Sequence, residues 1–240
     1  MAIHTDAEPL PRSVGDRPGI LFAPPGVDPL PSHVHVTPID FFNVLASRRS
    51  RVGDRVPPAL LSSLLWHVTQ LRERRFDGRF GQWESRPGPS AGGIHPIRLM
   101  TIPLDTNDDV GIYDDAVHSM ARPPRDASET IRLNAASVSE LTGAVAGTTV
   151  QFLADPTRLA ACYVNHETLL WRDAGAMTAI LCLTAEALGL TAVPLGRHGD
   201  EIVQSCGLPA RVKGVGAVHI GSRPPADQGI ADPARDHSGR

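Results

Sequence analysis

The sequence predicts an α+β domain. Helical stripes and short apolar runs are mixed along the middle of the chain without a regular β-α-β alternation, which argues against a doubly wound parallel sheet. No Gly-x-Gly-x-x-Gly follows a strand, so a dinucleotide-binding fingerprint is absent. With 240 residues, 41% of them hydrophobic, one core can form.

The ends differ from the middle. Residues 1–36 hold seven prolines (Pro9, Pro11, Pro18, Pro24, Pro25, Pro29, Pro31) and no helical period, so they read as an irregular arm that can drape over the body or a partner. Residues 225–240 read as a polar tail. The domain is therefore placed at 37–224.

Within it, Thr37-Pro38-Ile39-Asp40 reads as a helix start, with Thr37 capping, and the helix runs to about Arg48. After Pro57-Pro58, Leu60, Leu61, Leu64, Leu65, Val68 and Leu71 make one stripe of a second helix, whose end is basic (Arg72, Arg74, Arg75). Ser85 to Gly93 reads as turn. Ile97–Ile102 and Val110–Tyr113 read as strands, Ala135–Val145 as a weak helix and Thr148–Leu153 as a strand. Asp155-Pro156 opens a helical stretch, broken near Asn165-His166, that Gly189 ends. Asp200–Cys206 is a short helix and Gly214–Ile220 a last strand.

Composition narrows the function classes. A net charge of −3 carries no basic field for nucleic acid or an anionic membrane surface. Cys162, Cys182 and Cys206 are odd in number and form no Cys-x-x-Cys pair, which disfavours a disulfide framework or zinc ribbon and fits a cytoplasmic protein. The start, MAIHTDAEPLPRS, lacks a signal peptide's basic and apolar regions, and Ala174–Leu190 is too polar for a membrane span. His33-x-His35 has no further ligand nearby, so no metal site is predicted.

Three stretches could carry chemistry. Ser47-Arg48-Arg49-Ser50-Arg51 could grip a phosphate through guanidinium forks and hydroxyls, or be a solvated basic turn at a helix end. Pro89-Ser90-Ala91-Gly92-Gly93-Ile94-His95-Pro96 lets backbone approach a flat ligand, or is an ordinary turn before a strand. The stretch from Asp173-Ala174-Gly175-Ala176 to Leu188-Gly189-Leu190, then Val193-Pro194-Leu195-Gly196, reads as a buried helix followed by a turn, which packing alone explains.

Together these stretches resemble the FMN-dependent nitroreductase-like superfamily, and more closely its SagB-type thiazole/oxazole dehydrogenase branch. Gly111-Ile112-Tyr113-Asp114 and the closing His219-Ile220-Gly221-Ser222-Arg223-Pro224 fit the same pattern, so the resemblance spans roughly residues 38–224. It implies a homodimer with an antiparallel sheet flanked by helices and FMN at each dimer interface. It also implies that Arg48, Arg49 and Ser50 hold the phosphate or ribityl chain. Pro89, Ser90, Ala91 and Gly92 would run along the flavin, Leu195 and Gly196 would offer amides to its reactive edge, and Arg223 would add a phosphate contact.

The sequence departs from the branch where a lysine-tyrosine pair is usual. Ala161-Cys162, or with a one-residue shift Cys162-Tyr163, stands there, and Asn165–Thr168 lacks the downstream arginines. The usual glutamine-asparagine after the glycine is Ala179-Ile180. These departures count against azoline oxidation and leave Tyr163 and His166 as acid/base candidates, each with a helix-surface or interface role as the alternative. The expected activity is hydride transfer between flavin and a small-molecule or peptide-derived substrate. The alternative is a degenerate scaffold or partner subunit of a peptide-modifying complex.

Overall fold

A computed structural model describes residues 6–10, 27–32, 38–104 and 109–224. Thr37, His33, His35 and the tail lie outside the described residues. A seven-stranded antiparallel sheet forms the centre, with β2 (Val27–Pro29), β5 (Ile97–Pro103), β6 (Gly111–Asp114), β7 (Ser119–Ala121), β8 (Thr148–Ala154), β10 (Leu190–Leu195) and β11 (Lys213–Ser222). Its order is β10-β11-β8-β5-β6-β7-β2. Every residue of β8 is buried, as expected of a strand flanked by partners and covered on both faces.

Alternation along the strands builds a main core on each face of the sheet. Leu99, Val150, Phe152, Val218 and Ile220 join α2 (Pro58–Thr69) and α5 (Glu167–Ala187) on one face. Their neighbours Met100, Ile102 and Leu153 join α3 (Ser128–Thr142) and α6 (Asp200–Ser205) on the other. Phe152 is fully buried, and truncating such a ring costs about 3–5 kcal/mol.

Several boundaries differ from the sequence reading. Helix α1 (Phe41–Ser47) is capped by Asp40, which accepts the Asn43 N–H at 3.1 Å, so it starts three residues beyond Pro38. The stretch expected to be a basic helix end and a turn folds into the hairpin β3 (Glu73–Gly78) and β4 (Gly81–Ser85). Helix α3 begins well before Ala135. The late helical stretch is three elements: α4 (Thr157–Ala160), the two-residue β9 (Tyr163–Val164), then α5. The turn read at Val193–Leu195 is the end of β10. Pro194 is tolerated there because β10 is an edge strand, bridged on its open side only at Ala192, so no second neighbour needs an N–H from Pro194.

Two pieces of the Pro-rich segment lie on the body. Glu8–Pro9 (β1) pairs with Tyr163–Val164, and β2 extends the main sheet against β7.

Candidate functional site

Helix α5 organises two clusters. At its C-terminal half, Cys182 and Glu186 stand one turn apart, so they share a face. Glu186 accepts from Arg223 at 2.6 Å, and Ser47 and Arg51 also act on its carboxyl, which lies below its usual value despite partial burial. Arg48 acts on Cys182, whose thiol burial pushes up to about 11. Ser50 bridges Ala192 of β10, and Gly53 packs so tightly on Ser222 and Thr191 that a side chain there would collide with both. The arginine-rich turn is thus laid on the edge of the sheet. Arg49 is directed elsewhere: its Nη1 donates to Ala46 O and Arg48 O, both at 2.8 Å, closing the end of α1.

From Ala192, β10 leads in three residues to Leu195, about 10 Å at strand rise, and then to Gly196. Nothing stands within 4 Å of where a Gly196 side chain would begin, so this backbone faces open space. Beyond it His198 stacks on Trp171 of α5, centroids 4.6 Å apart. Arg197 turns inward instead, donating to Gln151 and Asn134.

The second cluster is built on Asp173. Its carboxylate accepts from Ser90 Oγ at 2.6 Å and from the Ala91 N–H at 3.3 Å. Burial raises its pKa, and those two donors partly offset the rise. Ser90 Oγ also accepts the His95 N–H at 2.9 Å. The glycines are needed here: Gly92 and Gly93 have φ of 61° and 60°, and a side chain on Gly93 would run into Trp83. Tyr163 meets the same loop, since its hydroxyl lies 2.9 Å from where a Gly92 Cβ would sit and its ring contacts Phe80 edge-on. His166 precedes α5 and makes no side-chain cap to it.

A buried charge cluster supports this loop. Glu84 binds Arg74 and Arg86, and Arg86 also binds Asp115. Burial alone would raise the Glu84 pKa, but the two arginines bring it down to about 2. His95 Nε2 donates to Glu84 O, 2.9 Å away, and burial depresses its pKa to about 4, leaving it neutral near pH 7.

The clusters do not meet within one chain. From Asp173 to Glu186 is about 20 Å of helix at 1.5 Å per residue. Trp171 and Asp173, two residues or about 200° apart, place the Gly196 turn and the Ser90 loop on opposite sides of α5. Arg48, Ser50 and Arg223 gather near the C-terminal end of α5, and β10 leads from them to Leu195 and Gly196 near its N-terminal end. Pro89, Ser90, Ala91, Gly92 and Tyr163 gather on the other side of α5.

Between α1 and α5 runs an apolar groove of about 410 Å³, lined by Phe41, Val44, Ile180, Leu183 and Leu188 among others. Phe42 beside it is 74% exposed. Among the described residues no helix is long and apolar enough to cross a membrane, and no cluster of metal-ligating side chains occurs.

This architecture has solved counterparts. A Ralstonia eutropha protein designated a nitroreductase superimposes with a TM-score of 0.59 at 23% identity, over 92% of this chain and 99% of that one. The fold is nitroreductase-like. The Escherichia coli microcin synthetase McbBCD complex, with truncated pro-MccB17 bound, contains a chain with the same fold (TM-score 0.58, 14% identity, 87% of this chain and 79% of that one). An Anabaena variabilis protein designated a nitroreductase matches at 0.55 and 17% identity over 80% of this chain, which spans 40% of its length. No protein-family model matches the sequence, and no curated protein does.

Arg197 and the Trp171–His198 stack were not singled out from the sequence, and Asp173 and Glu186 were read only as parts of the late helix, without roles of their own. Asp173 and Glu186 sit inside a helix whose apolar pattern accounts for them, and Arg197 and His198 follow a stretch read as turn. Only the partners, distant in sequence, give them roles.

Proposed function

We propose that the protein is an FMN-dependent oxidoreductase, working as a homodimer on a small-molecule or peptide-derived substrate. The observation that carries this is the Ser50–Ala192 bridge. It sets an exposed cationic turn on the edge strand whose last residue, Leu195, lies about 10 Å further on, with the open-backed Gly196 directly after it. FMN is a dianionic phosphate joined by a flexible polyol to a flat ring, and these residues fit its two ends.

In that reading Arg48, Ser50 and Arg223 hold the phosphate, with Arg49 closing α1 beneath them. Glu186 tempers the cluster and orients Arg223. Leu195 and Gly196 present backbone to the ring. When bound, the flavin supplies two-electron redox chemistry, and the protein's part is orientation and electrostatics. The Ser90 loop lies on the far side of α5, so it reaches a flavin only from a second copy. The apolar α1–α5 groove, with Phe41 and Phe42 exposed beside it, gives that copy a surface to bury. Tyr163, next to Gly92, and His166 would then approach the partner's flavin and serve as proton carriers for its substrate. Likeness to a chain of the microcin synthetase complex is what supports peptide tailoring, and likeness to a protein designated a nitroreductase equally supports general reduction.

A second reading has its own observation. Ser90 Oγ and the Ala91 N–H are already taken by Asp173, so this loop is satisfied without a ligand. That favours a scaffold or partner subunit without turnover.

The test is the variant pair Arg48→Ala and Arg223→Ala. In the first reading each folds, and the two together lose FMN retention at least tenfold. Retention equal to the unmodified protein would remove the phosphate assignment.

A further inference from the structure

Arg86 and Arg197, both half-buried, are balanced differently. Arg86 is balanced by two carboxylates, Glu84 and Asp115. Arg197 has none among the described residues. Its Nη1 donates to Gln151 Oε1 at 2.9 Å and its Nη2 to Asn134 Oδ1 at 2.5 Å, both neutral amides. Its Nε is buried with no acceptor. Burial lowers its pKa to about 10, which still leaves it charged at neutral pH.

The acceptors continue as an ordered chain. Asn134 Nδ2 donates to Thr149 Oγ1 at 3.1 Å, Thr149 lies 3.2 Å from His219 Nδ1, and His219 Nε2 lies 2.9 Å from Ala146 O. With His219 neutral, as its burial favours, one direction of donation runs unbroken from Arg197 outward to the Ala146 carbonyl. No member of the chain is negative.

Gln151 ties this cation to the Gly196 turn. Its Nε2 donates to His198 O at 2.7 Å and to Gly216 O at 2.8 Å, and the Gly216 N–H donates to His198 O as well. Gly199, with φ of 89°, sits so close to the Gln151 amide that a side chain there would collide with it. The turn from Gly196 to Gly199 is therefore gripped from inside the sheet. A buried charge without a counter-ion costs several kcal/mol. Keeping one directly after Gly196 places a permanent positive field where an anion from outside the chain can use it.

We infer that Arg197 is a positioning residue of the flavin site. Its fork fixes the Gly196–Gly199 turn, and its uncompensated charge favours the reduced, anionic cofactor over the oxidised, neutral ring. The inference rests on the FMN reading above. The balance is simple: oxidised flavin takes two electrons from a reductant and one proton from solvent, leaving one net negative charge on the ring system. A nearby cation stabilises that product and raises the midpoint potential.

The experiment is an anaerobic spectroelectrochemical titration at pH 7 of the FMN-loaded protein, with dithionite as reductant. It is run on the unmodified chain and on Arg197→Met, Arg197→Lys and Asn134→Asp, with thermal melts alongside. Arg197→Met is expected to lower the potential by about 30–60 mV, a tenfold to hundredfold loss in relative affinity for the reduced form. Arg197→Lys keeps the charge and the potential but cannot bridge both amides, so FMN retention falls. Asn134→Asp supplies the missing carboxylate and lowers the potential with Arg197 in place, which decides the matter should Arg197→Met not fold. Unchanged potentials in Arg197→Met or, in that case, Asn134→Asp overturn the inference and leave the FMN reading intact. An unmodified protein that binds no FMN overturns both.

Discussion

The Ser90–Asp173 hydrogen bond is expected to be the main tie between the glycine loop and α5, and a double-mutant cycle measures it. The perturbations are Ser90→Ala, Asp173→Ala and the pair. Asp173 is 8% exposed and receives a 2.6 Å hydroxyl bond and a 3.3 Å amide bond. Bonds to a charged acceptor contribute about 1.5–3 kcal/mol each, and the shorter one belongs in the upper part of that range. Against this stands the burial that raises the Asp173 pKa, because removing the carboxyl relieves it. We expect each single variant to lose about 2 kcal/mol, and the pair about 3 kcal/mol, because the second change removes a group already stranded by the first. The coupling is then about 1 kcal/mol, within the range found for contacting residues. At roughly 2–4 °C per kcal/mol for a chain of this size, the single variants melt about 4–8 °C lower. Urea unfolding followed by far-UV circular dichroism gives the four stabilities. Additivity within about 0.5 kcal/mol would refute the reasoning and reduce the loop contact to an incidental one.

Other predictions follow from the same geometry. Because burial holds His95 near pKa 4, the unfolded chain takes up a proton from about pH 6.5 downward that the folded chain refuses. Its contribution is thus present above pH 6.5 and lost as pH falls towards 4, by about 3 kcal/mol in full, and His95→Asn should flatten the melting profile over that window. Glu84→Gln leaves Arg86 with Asp115 alone and the half-exposed Arg74 facing a neutral amide, and a loss of about 1–3 kcal/mol is expected by chemical unfolding. Gly53→Ala drives a methyl into the Ser222 carbonyl and lifts the arginine turn off β10, so FMN retention should fall more than thermal stability does. Phe42→Glu puts a charge on the face assigned to the second copy, and light scattering should show a shift from dimer to monomer.

Much of the architecture could be read from periodicity. The stripe from Leu60 to Val68 is strong because burial on one helix face repeats at a fixed spacing, and the strand at Thr148–Leu153 because a short run buried on both faces is rich in apolar and β-branched residues. The β3–β4 hairpin was hidden because Glu73-Arg74-Arg75 puts charges where a strand usually alternates, and Arg74 is accommodated only by Glu84 on the facing strand. Pro194 concealed β10 for an equally local reason, since its tolerance depends on an edge position that the sequence does not display. The composition of the site was legible in its arginine and glycine clusters. Its division was not: that Ser90 faces Asp173 while Gly196 lies across the same helix is settled by contacts between residues far apart in sequence.

The central claim is that this nitroreductase-like chain holds FMN. The most direct test is the visible absorption spectrum of the purified protein after incubation with FMN and desalting. Retained oxidised-flavin bands at close to one flavin per chain are expected. A colourless protein that releases all added FMN would contradict it and leave the scaffold reading in its place.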